Sequence, residues 1–83
     1  MVDVQFRIIC EDLTGGFRGG LCTVPEGTNI ACALDACLEE NGVEFAGDRD
    51  YLTICLRNGR RALWADEVTS GDEICVLRKV VGG

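Results

Sequence analysis

Val2, Val4, Phe6, Ile8 and Cys10 alternate with Asp3, Gln5, Arg7 and Ile9, a period of two that predicts a strand with one buried face. Leu13-Thr14-Gly15-Gly16-Phe17-Arg18-Gly19-Gly20 follows as a glycine-rich connection. Leu21 to Val24 then resumes an extended pattern before Pro25, so the first two strands read as a hairpin. These glycines do not read as a phosphate cradle, because no Lys-Ser or Lys-Thr follows and the segment joins two strands instead of opening a helix. Ile30, Ala33, Leu34, Cys37 and Leu38 recur at helical spacing, with Asp35, Glu39 and Glu40 on other faces, which predicts one amphipathic helix. Thr28 or Asn29 is placed to cap its first amides, and Asn41-Gly42 closes it.

The stretch from Val43 to Asp50 is polar and irregular and predicts a connection. Leu52-Thr53-Ile54-Cys55-Leu56 predicts a third strand, Asn58-Gly59 a tight turn, and Arg61 to Leu63 a short fourth strand. After the Ser70-Gly71-Asp72 turn, Ile74 to Leu77 forms a last strand apolar on both faces, as expected of a central one. The economical packing of this order is an α+β fold in which the helix covers one face of a mixed, four- to five-stranded sheet. The first and last strands are then parallel central neighbours. A chain of 83 residues buries about 60% of its unfolded surface, which leaves room for a single domain spanning residues 1–83.

Composition narrows the function. Apolar residues make up 47% and charged residues 27%, ordinary for a globular protein. No stretch resembles a signal peptide, and no apolar run approaches the roughly 18 residues of a membrane span, so the expected location is the cytoplasm, with no membrane partner. Fourteen acidic against eight basic residues give a formal charge of -6, which argues against nucleic-acid binding. A basic protein partner suits this charge, as does solubility alone. Six cysteines without an export signal are expected to be thiols. They contain no C-x-x-C pair and the chain has no histidine, so no metal site is expected. Cys10, Cys32, Cys37, Cys55 and Cys75 lie in apolar-patterned segments and read mainly as core.

The chain closes on Val80-Val81-Gly82-Gly83. Glycine has no side chain, so such an end can thread a channel too narrow for other residues. Its carboxylate can be activated as an acyl-adenylate and then converted to an amide, an ester or a thiocarboxylate. The plain alternative is a frayed glycine end.

The element order, Leu56-Arg57-Asn58-Gly59-Arg60, Ser70-Gly71-Asp72-Glu73-Ile74 and the final Val-Val-Gly-Gly together resemble the ubiquitin-like β-grasp sulfur carriers of the ThiS/MoaD type. The resemblance spans nearly the whole chain and is most specific from Leu52 to Gly83. It implies a β-grasp fold and a non-enzymatic carrier with no bound cofactor. A partner enzyme would spend ATP to adenylate Gly83, with Gly82 its slender neighbour in the channel, and a persulfide sulfur would displace AMP to leave a thiocarboxylate. The sulfur would pass to a pterin, through a synthase large subunit, or to a thiazole precursor of thiamine. The length and full first hairpin are closer to the pterin-pathway members, whereas Arg78-Lys79 stands where those usually carry prolines.

Two other classes fit parts of the pattern. A ubiquitin-like modifier or binding module would use the same Gly83 for attachment to lysine, or leave it unactivated. A plant-type iron–sulfur protein would need C-x4-C-x2-C; Cys32 and Cys37 have the first spacing, but position 40 is Glu40. For docking, the resemblance implies an exposed apolar part of the sheet together with the tail, with Trp64, Leu63 or Phe17 as anchors. Closing the core is the stronger expectation for Trp64. Arg57, Arg60 and Arg61 read as a solvated edge.

Overall fold

The computed structural model describes residues 1–79. In chain order the elements are β1 (Val2–Ile8), β2 (Gly19–Val24), α1 (Ile30–Glu40), a one-turn α2 (Arg49–Leu52), β3 (Thr53–Arg57), β4 (Arg60–Ala62) and β5 (Asp72–Arg78), with a 3-10 turn at Glu11–Leu13. The strands form one sheet in the order β2-β1-β5-β3-β4. β1 and β5 are parallel central neighbours, in the register Phe6 with Ile74 and Ile8 with Val76. The other pairs are antiparallel. The α+β architecture, the strand parity and the single main helix all match the sequence reading.

The alternation in β1 sends Val4, Phe6 and Ile8 to one face, where they are buried with Ile74 and Val76 of β5 and Cys55 of β3. α1 lays Ile30, Ala33, Leu34, Cys37 and Leu38 on that same layer. Each large side chain so buried contributes about 1.5–3 kcal/mol, and this shared apolar layer holds helix and sheet together. Asn29 is the cap of α1: its side chain accepts the Cys32 amide at 2.8 Å. Thr28 instead donates its hydroxyl to the Pro25 carbonyl at 2.7 Å. The free amides of Ile30 and Ala31 donate to the carbonyls of Asp66 and Trp64 at 2.8 and 3.0 Å, which ties the β4–β5 connection to the start of the helix.

Several boundaries differ from the sequence reading: β1 stops at Ile8, short of Cys10, β5 already begins at Asp72, and three further differences have a local reason. Leu52 ends α2 instead of opening β3, because Asp48 accepts the amides of Asp50 and Tyr51 at 3.0 and 3.4 Å and nucleates a turn inside the stretch read as irregular. Leu63 lies outside β4, because its amide turns away to the Asp66 carboxylate at 2.9 Å. β2 begins two residues before Leu21, where Gly19 (φ 101°) passes so close to β1 that a Cβ would sit 2.3 Å from the Phe6 carbonyl oxygen. Only glycine fits there.

Candidate functional site

β5 delivers the chain to the edge of the fold at a fixed place. Thr53 of β3 pairs with Arg78, and the Lys79 amide donates to the Leu52 carbonyl at 2.8 Å. The Arg78 guanidinium pairs with Asp12, and the Lys79 ammonium reaches the Asp50 carbonyl at 3.4 Å. Arg78-Lys79 therefore locks the last described residues to three segments of the domain by polar contacts. Gly82 and Gly83, the site residues expected from sequence, lie outside the described residues.

Beside this point the face of the sheet opposite α1 carries an uncovered apolar row, bordered on the same face by Arg7 and Glu73. Ile54 pairs with Leu77, and Leu56 with Cys75. All four are half-buried and alternate with the buried Cys55, Ile74 and Val76, so they point away from the helix. Ile9 continues the row: its amide donates to Val76 at 2.9 Å and its side chain is 47% exposed. Leu63, at 68% exposure, lies just past the end of β4. The sequence reading took the two apolar faces of β5 as the mark of a central strand. β5 is central, but the single helix covers only one of those faces, so Cys75 and Leu77 stay accessible. An uncovered apolar row of this kind is a candidate interaction surface.

Of the anchors expected from sequence, Leu63 is exposed, whereas Trp64 and Phe17 pack partly buried against the core. Trp64 donates its Nε1–H to the Thr53 carbonyl at 3.5 Å and carries the Arg49 guanidinium over its ring at 5.2 Å. It closes the core, as the stronger expectation held. Ile9, Ile54, Leu56 and Leu77 were not singled out from sequence. The available signal was the unbroken apolar run in β3 together with that in β5, in a chain with only one long amphipathic helix to cover them.

Arg57 corrects another expectation. It is no solvated edge residue: its Nε donates to the Asp72 carboxylate at 2.9 Å, its Nη2 lies 2.8 Å from the same oxygen and it also bonds the Glu67 carbonyl. Asp72 further accepts the Thr69 amide at 2.7 Å, the Thr69 hydroxyl at 3.0 Å and the Asn58 side chain at 3.2 Å. Burial pushes this carboxyl up, but the donors from Thr69, Arg57 and Asn58 outweigh it and hold Asp72 below the usual carboxylate range. The group clamps the β3–β4 turn to the start of β5. Arg60 and Arg61 remain exposed, as expected.

The thiols divide by helix and strand phase. Cys10, Cys22, Cys37 and Cys55 are buried, and desolvation raises the pKa of each, that of Cys37 to about 11 with Cys22 and Glu40 adding to it. Such thiols are poor nucleophiles. Cys32 is exposed, against the expectation of a core residue, because it falls two positions past Ile30 and off the buried stripe of α1. With Cys32 outside and Cys37 inside, the two do not face one site, which removes the iron–sulfur reading. Among the described residues no cluster of three or more Cys, Asp or Glu could hold a metal ion. No helix among them is long and apolar enough to cross a membrane.

No protein-family model matches the chain, and no curated protein does. Solved structures do. The crystal structure of SAMP1 from Haloferax volcanii is similar at a TM-score of 0.64 and 24% identity, over 98% of this chain and 99% of that one. A second structure, of the H. volcanii small archaeal modifier protein 1, gives 0.64 and 22% over 92% and 95%. A Pyrococcus furiosus protein described as molybdopterin converting factor, subunit 1, gives 0.69 and 24% over 96% of this chain and 100% of that one. At these identities the likeness establishes the β-grasp, ubiquitin-like fold.

Proposed function

We propose that this chain is a cytoplasmic sulfur carrier whose Gly83 carboxylate is charged by a partner enzyme. In that reading the carboxylate attacks the α-phosphorus of ATP, pyrophosphate leaves, and an acyl-adenylate remains. The outer sulfur of a persulfide on the partner then attacks the acyl carbon and AMP departs. A second thiol resolves the acyl disulfide, leaving a thiocarboxylate on Gly83 and a disulfide on the partner. The carrier itself supplies no acid or base; the partner supplies proximity and leaving-group activation.

The observation that carries this reading is the fixed departure point of the tail. Lys79 is held to Leu52 at the rim of the open apolar row of Ile9, Leu77 and Ile54. A partner that covers this row meets the chain at Lys79, three residues before Gly82-Gly83 in the sequence, and a side-chain-free end suits a narrow channel on that partner. The likeness to a molybdopterin converting factor subunit supports an acceptor of the pterin class, reached through a synthase large subunit. A thiazole precursor is the other acceptor compatible with a thiocarboxylate.

The likeness to a small archaeal modifier protein favours a second reading, in which the same adenylate is captured by a lysine amine to give an isopeptide. One reconstitution separates the two. The chain is incubated with the adenylating enzyme of its own cell, ATP and a persulfide donor, and read by intact mass and denaturing gel. Sulfur transfer predicts ATP-dependent replacement of one oxygen by sulfur on Gly83. Lysine-linked adducts alone would establish the modifier instead, and an unchanged chain would refute both.

A further inference from the structure

The helix layer carries a second surface, separate from the open sheet face. α1 ends in a Schellman motif: Gly42, at φ 67°, donates to the Glu39 carbonyl at 3.1 Å and Val43 to the Leu38 carbonyl at 2.9 Å. That closure brings Val43 back against Leu38, and Phe45 follows, so an apolar groove of about 440 Å³ opens between helix end and loop. Its rim is acidic, formed by Asp35, Glu39 and Glu44. Arg49 pairs with Asp35 at 2.7 Å, whereas among the described residues Glu39 and Glu44 form no ion pair.

The charge placement runs against helix stability. The last turn of α1 holds Glu39 and Glu40 and no basic residue, although the negative end of the helix dipole disfavours carboxylates there. Dipole and side chains together concentrate negative potential over an apolar floor. The complement of such a surface is a segment presenting a large aliphatic or aromatic side chain flanked by Lys or Arg.

We propose that the groove of Leu38, Val43 and Phe45 docks a basic amphipathic segment of a protein partner. It lies on the layer opposite Ile54 and Leu77, so a partner there leaves the open sheet face uncovered. The domain can be held there by one protein while a second covers the open sheet face. This inference does not depend on the chemistry of Gly83.

The test is an amide-resolved NMR titration of the full chain with a short amphipathic Leu/Lys peptide. Controls are a Ser/Lys peptide of equal charge and spermine. The expected result is saturable shifts confined to residues 35–45, weakened at least about tenfold by the Glu39→Lys/Glu44→Lys double variant and by replacing Leu with Ser. The double variant should melt no lower than the parent, since Glu39→Lys relieves the dipole clash, so lost binding cannot be laid to lost folding. Shifts spread over the whole acidic surface, shifts centred on Ile54 and Leu77, equal binding by the Ser/Lys peptide or spermine, or full affinity in the double variant would each overturn the proposal.

Discussion

Replacing Asp72 by alanine removes the acceptor at the centre of the clamp between the β3–β4 turn and β5. The Asp72 side chain is 6% exposed and its Arg57 partner 27%. Deleting one member of a buried pair costs about 3–5 kcal/mol when the other is stranded. Arg57 is exposed enough to find water on release, which places Asp72→Ala near the lower end, at about 3 kcal/mol. Arg57→Ala should cost less, about 1.5–2 kcal/mol, because Asp72 keeps the Thr69 amide and hydroxyl and the Asn58 side chain. A chain this short is stable by about 4–12 kcal/mol in all. With a urea m value of about 1 kcal/mol/M the Asp72→Ala midpoint should therefore fall by roughly 3 M. The double variant should cost less than the sum of the two. The pH dependence follows from the sign of the shift. The folded carboxyl titrates below its ordinary value of 3.8, so its contribution is complete above about pH 4 and is lost as pH falls through the folded value. The gap between parent and Asp72→Ala should be constant near neutrality and narrow below about pH 4. A variant within about 0.5 kcal/mol of the parent, a costlier Arg57→Ala, or a gap that does not narrow on acidification would refute this account of the clamp.

Ile54→Glu and Leu77→Glu should leave the fold intact, since both side chains are only half-buried, yet slow adenylation by the partner about tenfold or more at subsaturating carrier; unchanged rates would exclude the open face as the docking surface. Under native conditions a thiol reagent followed by mass spectrometry should modify Cys32 first and Cys75 more slowly, with Cys10, Cys22, Cys37 and Cys55 protected until unfolding. Rapid labelling of any of those four would contradict the core assignment. Gly19→Ala should destabilise by about 2 kcal/mol or more in urea titrations, because its Cβ would meet the Phe6 carbonyl oxygen at 2.3 Å; a neutral substitution would mean that β2 does not approach β1 as described.

The elements that were legible in the sequence are those with a strong period or an explicit stop. β1, α1 and the Asn58-Gly59 turn stood out because alternation, helical spacing and positive-φ residues are local signals. The parallel pairing of β1 with β5 followed from packing economy. What escaped depends on contacts distant in sequence or on what the fold leaves uncovered. Asp48 stops an irregular stretch from being irregular, but a single capping aspartate followed by one helical turn has no periodic signature. Arg57 looked like a surface charge because its partner is fifteen residues away. The apolar run in β5 could not say which of its faces would go uncovered. That required knowing that α1 occupies only the side of Phe6 and Ile74, and this is the fact that turns Ile54 and Leu77 into a candidate site.

The central claim is that Gly83 is a chemical handle charged by another protein, and the most direct measurement is the intact mass of the full chain purified from its own cells. The account predicts a fraction in which one carboxyl oxygen of Gly83 has been replaced by sulfur, absent when Gly83 is deleted although the domain still folds. A chain that carries only the free acid in cells where its adenylating partner is active would contradict it. So would sulfur transfer by a form extended past Gly83 without prior trimming.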